Sequence, residues 1–89
     1  MKSTYSYHVI YQAEPEGGFT VLVPALQGCI TYGRTFEEAR EMIQDAIGGY
    51  IESLRKHGET IPSDQRTITD IVDVRHPSSS KATKARVYA

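Results

Sequence analysis

The residues that could carry chemistry in this 89-residue chain are three histidines, one cysteine and eleven acids. His8, His57 and His76 lie far apart, and no pair has the spacing of two ligands on one helix or loop. His8 is expected on a strand, His57 as a cation at a helix C-terminus and His76 in a loop. Cys29 falls in a short apolar stretch, which predicts a small buried hydrophobe rather than a nucleophile. A single cysteine also leaves no internal disulfide and no C-x-x-C metal pair. Asp70 and Asp73 are three apart on an expected strand, so they point to opposite faces and cannot act as a carboxylate pair. No phosphate-cradling glycine loop, dinucleotide fingerprint or H-E-x-x-H sequence occurs. No catalytic residue, metal ligand or cofactor is therefore expected.

The elements are organised around Val23 to Ile47. Thr35 and Glu38 form a T-x-x-E capping box, in which the Thr35 hydroxyl accepts from the Glu38 amide and the Glu38 carboxylate reaches back to Thr35. Gly33 lets the chain turn out of a strand just before it. Glu37, Glu38 and Glu41 lie in the first two turns, where the helix dipole favours anions. Phe36, Ala39, Ile43, Ala46, Ile47, Tyr50 and Leu54 make one apolar stripe, and Glu41, Gln44, Asp45, Glu52 and Lys56 occupy the opposite face. Gly58 and Pro62 stop the helix, which is predicted over Phe36–His57. Gly48-Gly49 inside it costs helix propensity and is explained most plainly by close approach of another element.

Tyr5–Ala13 is rich in Tyr, Val and Ile and predicts a strand, with Tyr5, Tyr7, Val9 and Tyr11 on one face and Ser6, His8, Ile10 and Gln12 on the other. Glu14 to Gly18 is a turn. Phe19–Val23 is a second strand ended by Pro24, Cys29–Tyr32 a short third, and Thr67–Arg75 a fourth. The fold class is α+β, with element order β-β-β-α-β, sheet order 3-2-1-4 and one long helix on one face. A small core and an uncovered sheet face favour self-association, as a dimer or tetramer.

No apolar run approaches the ~20 residues of a membrane span, and the N-terminal residues have no signal-peptide core, so a cytoplasmic protein is expected. Net charge is −1, unevenly placed. Residues 1–74 carry six Lys/Arg and all eleven acids, giving −5, whereas residues 75–89 carry Arg75, Lys81, Lys84 and Arg86 without an acid, giving +4. This divides the chain into a domain over 1–75 and a basic Ser/Lys-rich tail over 76–89. Lys81, Lys84 and Arg86 are candidates for contact with nucleic acid or another subunit.

Gly18-Phe19-Thr20-Val21, Val23-Pro24-Ala25-Leu26-Gln27-Gly28-Cys29 and Thr31-Tyr32-Gly33-Arg34-Thr35-Phe36-Glu37-Glu38-Ala39 together resemble the HicB antitoxin family. Its usual form is G-[FY]-x-V-x-x-P-x-L-P-G-C, then x-x-G-x-T-x-E-E-A and a long helix. Gly58-Glu59-Thr60-Ile61-Pro62 is similar to the G-x-x-I-P that closes that helix. The resemblance covers about residues 5–74, and Gln27 stands where the family usually has proline. The motif residues are Gly18, Phe19, Pro24, Gly28, Cys29, Gly33, Thr35, Glu38 and Ala39, all in structural roles. The resemblance implies a truncated ribonuclease-H-like fold and a non-catalytic role, binding and blocking a HicA-like toxin, a small mRNA interferase. Many members also carry a C-terminal DNA-binding domain; the fifteen or so residues after the fourth strand are too few for one. The alternative is a nucleic-acid-binding or transcription-regulatory oligomer that uses the basic tail.

Overall fold

The computed structural model of the chain describes residues 4–77. Three strands and a helix follow in the order β1 (Ile10–Ala13), β2 (Phe19–Leu22), β3 (Ile30–Gly33) and α1 (Phe36–Lys56). The sheet is antiparallel with order β1-β2-β3. Its register pairs Ile10 with Leu22 and Leu22 with Ile30 at one end, and Ala13 with Phe19 and Phe19 with Gly33 at the other. The β1–β2 turn closes with the Glu14 amide on the Gly18 carbonyl at 2.9 Å. Gly17 and Gly18 both take positive φ there, a conformation glycine adopts without steric cost.

The ladder of β1 is shorter than the expected Tyr5–Ala13. Continued past Ile10, the register would set His8 opposite Pro24, which has no N–H to donate. Residues 5–9 therefore run on as extended chain without a partner strand. The larger difference concerns Thr67–Arg75. These residues belong to no strand, so among the described residues the sheet holds the 3-2-1 part of the expected order and no fourth strand. A turn is the reason. The Thr67 amide bonds to the Asp64 carbonyl at 3.1 Å, and the Gln65 amide to Ser63 Oγ at 3.1 Å. Both redirect the chain before it can run along β1.

Helix α1 begins with Thr35 in extended geometry, its hydroxyl accepting from the Glu38 amide at 3.0 Å. The return bond from Glu38 lands one residue earlier than expected: its carboxylate accepts from the Arg34 amide at 2.6 Å. At the other end His57 is the C-cap and Gly58 takes φ +67. Gly58 and Glu59 donate to the carbonyls of Arg55 and Leu54, at 3.1 and 2.8 Å, which is the pair of bonds of a Schellman motif.

The core consists of Val21, Val23, Leu26, Cys29, Ala39 and Ile43, joined by partly buried Tyr7, Val9, Tyr11, Phe19, Ala46, Ile47 and Tyr50. Ile51 is also buried; it continues the Ile43–Ile47 step of four and was absent from the expected stripe. Gly48 and Gly49 are exposed, and an added Cβ at either would meet nothing. Close approach within this chain therefore does not explain them. Helix α1 packs on β3 and β2. A groove of about 450 Å³ is left between the lead-in to β1 and the helix.

Candidate functional site

The residues that could do chemistry are scattered. Cys29 is buried, and desolvation pushes its thiol above the ordinary value, the opposite of what a nucleophile needs. His57 is held by its own helix, with Nδ1 on the Ser53 carbonyl at 2.7 Å. His76 is exposed. Asp70 and Asp73 are exposed, and Asp70 accepts from the adjacent Ile71 amide at 2.7 Å. Among the described residues, no three His, Cys, Asp or Glu side chains gather where they could hold a metal ion.

The motif residues instead surround one tightly folded corner. Between β2 and β3 the chain makes two consecutive turns. The Leu26 amide donates to Val23 and the Cys29 amide to Leu26, each at 3.0 Å, while the Val23 amide closes the loop on Cys29 at 3.1 Å. These turns drive Leu26 into the core, where it is 0 % exposed. Gly28 takes φ +82 on the way out, and Tyr50 from the helix caps the loop by donating to the Gln27 carbonyl at 2.9 Å. Pro24 is exposed at the loop's entrance. Gly33 lies against Ala39, and a Cβ there would overlap the Ala39 backbone. At Gly18 a Cβ would collide with the Tyr32 hydroxyl, which donates to the Gly17 carbonyl at 3.0 Å. Phe19 meets Phe36 edge-on at 6.0 Å, and Phe36 also stacks on Tyr11 at 4.5 Å. Lys81, Lys84 and Arg86 lie outside the described residues.

A second feature gave no signal in the sequence. After the helix, Ile61–Gln65 returns beside Thr4–His8. The Tyr7 hydroxyl donates to the Pro62 carbonyl at 2.7 Å. The His8 amide donates to Asp64 Oδ2 at 2.9 Å, and the His8 ring meets the same oxygen. This is the one ion pair among the described residues. Partial burial pushes the Asp64 carboxyl up. Hydrogen bonds from the His8 ring, the His8 amide and Thr67, with the His8 charge, outweigh that effect and hold it below the ordinary value. Tyr7 is pushed up, first by burial, then by Tyr5 and Asp64. Only Ile61-Pro62 was legible beforehand, as the motif that closes the helix.

Two surfaces remain. The outer face of α1 exposes Glu37, Glu38, Glu41, Asp45 and Glu52 against Arg40, Arg55 and Lys56. Four of those five acids, with Arg40 alone among the bases, fall in its first half. The groove beside β1 is lined by Tyr5, Tyr7, Val9, Tyr11, Ile43 and Ile47, with Arg40 as its one charged residue. No helix in the described residues is long and apolar enough to cross a membrane.

Comparison with known proteins agrees with this corner-centred arrangement. Residues 7–85 match the family described as the HicB-like antitoxin of the bacterial toxin–antitoxin system. UPF0150 protein Ta0767 of Thermoplasma acidophilum is 52 % identical over 58 residues, 65 % of this chain and 84 % of the relative. UPF0150 protein ssr1765 of Synechocystis is 41 % identical over 63 residues, 71 % of this chain and 80 % of the relative. UPF0150 protein ssl0259 of the same organism is 32 % identical over 66 residues, covering 74 % and 90 %. The matched span begins at Tyr7, runs through the capped loop, the Gly33–Ala39 contact and the helix, and thereby places the chain in the HicB-like antitoxin family.

Proposed function

We propose that this protein is a non-catalytic antitoxin that binds and neutralises a HicA-type mRNA interferase. The family match over residues 7–85 carries the reading. The exposed acids on the first half of α1 support it. A toxin that binds RNA needs Lys and Arg on its RNA-facing surface, and an acidic helix can occupy that surface and be steered onto it. The three-strand-plus-helix order supports a truncated ribonuclease-H-like plan, whose fourth strand in the order 3-2-1-4 would be residues 67–75. Residues 1–75 form the toxin-binding domain of a cytoplasmic dimer or tetramer, and the tail over 76–89 is an auxiliary contact.

The test is co-expression with the small basic product of an adjacent reading frame. Growth of toxin-arrested cells should be rescued and the two proteins should co-purify, with or without residues 76–89. A folded chain that neither binds nor rescues overturns the reading. A second reading, nucleic-acid binding through the tail, is favoured by the acid-free run holding Arg75, Lys81, Lys84 and Arg86. It requires that deleting residues 76–89 abolish retention of duplex DNA in a mobility-shift assay.

A further inference from the structure

Thr67–Arg75 is an anomaly on this surface. Six of its nine residues are β-branched, the composition of a strand. Yet Ile68, Ile71, Val72 and Val74 are 85, 89, 74 and 78 % exposed. A single exposed apolar side chain needs no explanation, but four in one short segment mark an interaction site. The matching vacancy is on the same chain. β1 pairs with β2 along one side only, and past the Asp64 contact at His8 the chain from Val9 to Ala13 presents the other side as a free edge, a template for an added strand.

The segment does not fill its own vacancy. Its lead-in, Ile61–Gln65, reaches the start of the edge, where Asp64 takes the His8 amide in place of a strand. The turn over Asp64–Thr67 then leads it away. Chemical complementarity says what the edge accepts. Alternate residues of a strand share a face, so Ile68, Asp70, Val72 and Val74 form one face, with three apolar side chains and one acid. The groove beside the edge offers tyrosines, Val9, Ile43 and Ile47 around one cation, Arg40. Arg40 is in no ion pair among the described residues. The other face of the segment, Thr67, Thr69, Ile71, Asp73 and Arg75, is mostly polar and suits solvent.

We propose that Thr67–Arg75 is a strand exchanged between two copies of this chain. In each copy it lies along the free edge of Val9–Ala13 of the other, with Ile68, Val72 and Val74 over the groove and Asp70 paired with Arg40. The exchange supplies each three-stranded sheet with a fourth strand and covers Ile68, Val72 and Val74 of both chains at once. A two-fold exchange closes on itself, so the assembly stops at a dimer. It rests on the self-associating part of the proposed function; toxin binding is a separate matter.

Amide hydrogen exchange on the full chain tests it, at several concentrations and alongside light scattering. The expected mass is twice 9.9 kDa. Residues 67–75 and the β1 edge should be protected together and lose protection together on dilution. Val72→Pro removes a ladder donor at a position exposed in the single chain. It should halve the mass while leaving the helical circular dichroism unchanged. Arg40→Glu should weaken the dimer, and adding Asp70→Arg should restore it. Three results overturn the exchange: protection of 67–75 that is independent of concentration, protection that appears only when a toxin is added, or a dimer that survives Val72→Pro.

Discussion

Two regions of this chain have similar apolar content and opposite fates. Val23–Ala39 folds back on itself at every step, through two turns, a strand and a helix cap. Thr67–Arg75 is richer in β-branched residues and forms no strand within the chain. The difference lies in what each region can pair with. The Val23 and Cys29 main chains bond each other across the loop, and Gly33 admits Ala39 into contact. The later segment meets a turn before it meets an edge. Strand propensity describes a side chain that fits a pleated, half-buried surface; it does not supply the surface.

The contrast is sharpest when one apolar residue is truncated in each region. Leu26→Ala should cost about 2–5 kcal/mol, because a fully buried leucine leaves a cavity as well as losing its transfer energy. Ile71→Ala should change stability by no more than about 0.5 kcal/mol in the dilute single chain, as exposed substitutions do. Urea denaturation at low protein concentration measures both. Equal costs would erase the distinction between the two regions.

The capping box gives the next largest effect. Thr35→Ala should cost about 1 kcal/mol, the usual value for a lost N-cap. An unchanged denaturation midpoint would mean that the bond from the Glu38 amide to Thr35 does not hold the helix start. Gly48→Ala should shift stability the other way, by up to about 1 kcal/mol, since the site is open and alanine is the better helix former. A drop instead would show that another chain packs on this face of α1.

Local chemistry explains what could be read in advance. The capping box, the Gly58 stop and the turn at Glu14–Gly18 each depend on a few neighbouring residues, so their positions came out within a residue. Leu26 lies between the second and third strands, as their expected bounds imply, but its burial depends on helix residues remote in the sequence, Ala39 and Ile43, which share its core cluster. Ile51 needed only the step of four continued from Ile43 and Ile47. The pairing of His8 with Asp64 spans 56 positions and follows from no periodicity. Thr67–Arg75 has a clear strand pattern, but sheet membership depends on an edge that the intervening turn denies it. Of the candidate binding surfaces, the acidic helix face was legible in part: the spacing already put Glu41, Asp45 and Glu52 opposite the apolar stripe, and the structure adds that Glu37 and Glu38 are exposed with them.

The smallest expected effect lies at the boundary between the two regions, at Asp64. This carboxylate ties Ile61–Gln65 to the lead-in of β1, and the exposed His8 ring on its other side leaves the charge attraction open to solvent screening. Its folded value is below the ordinary one, so in acid the unfolded chain binds the proton more readily than the folded chain. The stabilisation is therefore complete above the unfolded value near 3.9 and is lost as pH falls through the lower folded value. Asp64→Asn should be less stable than the natural sequence at neutral pH, and the two should converge as pH falls through the lowered folded value of Asp64. Denaturation curves across that range test the sign, and exchange of the His8 amide tests the cause, since that N–H loses its anionic acceptor. The Leu26 core should not notice the change. A difference that persists unaltered in acid would assign the contact to shape rather than charge.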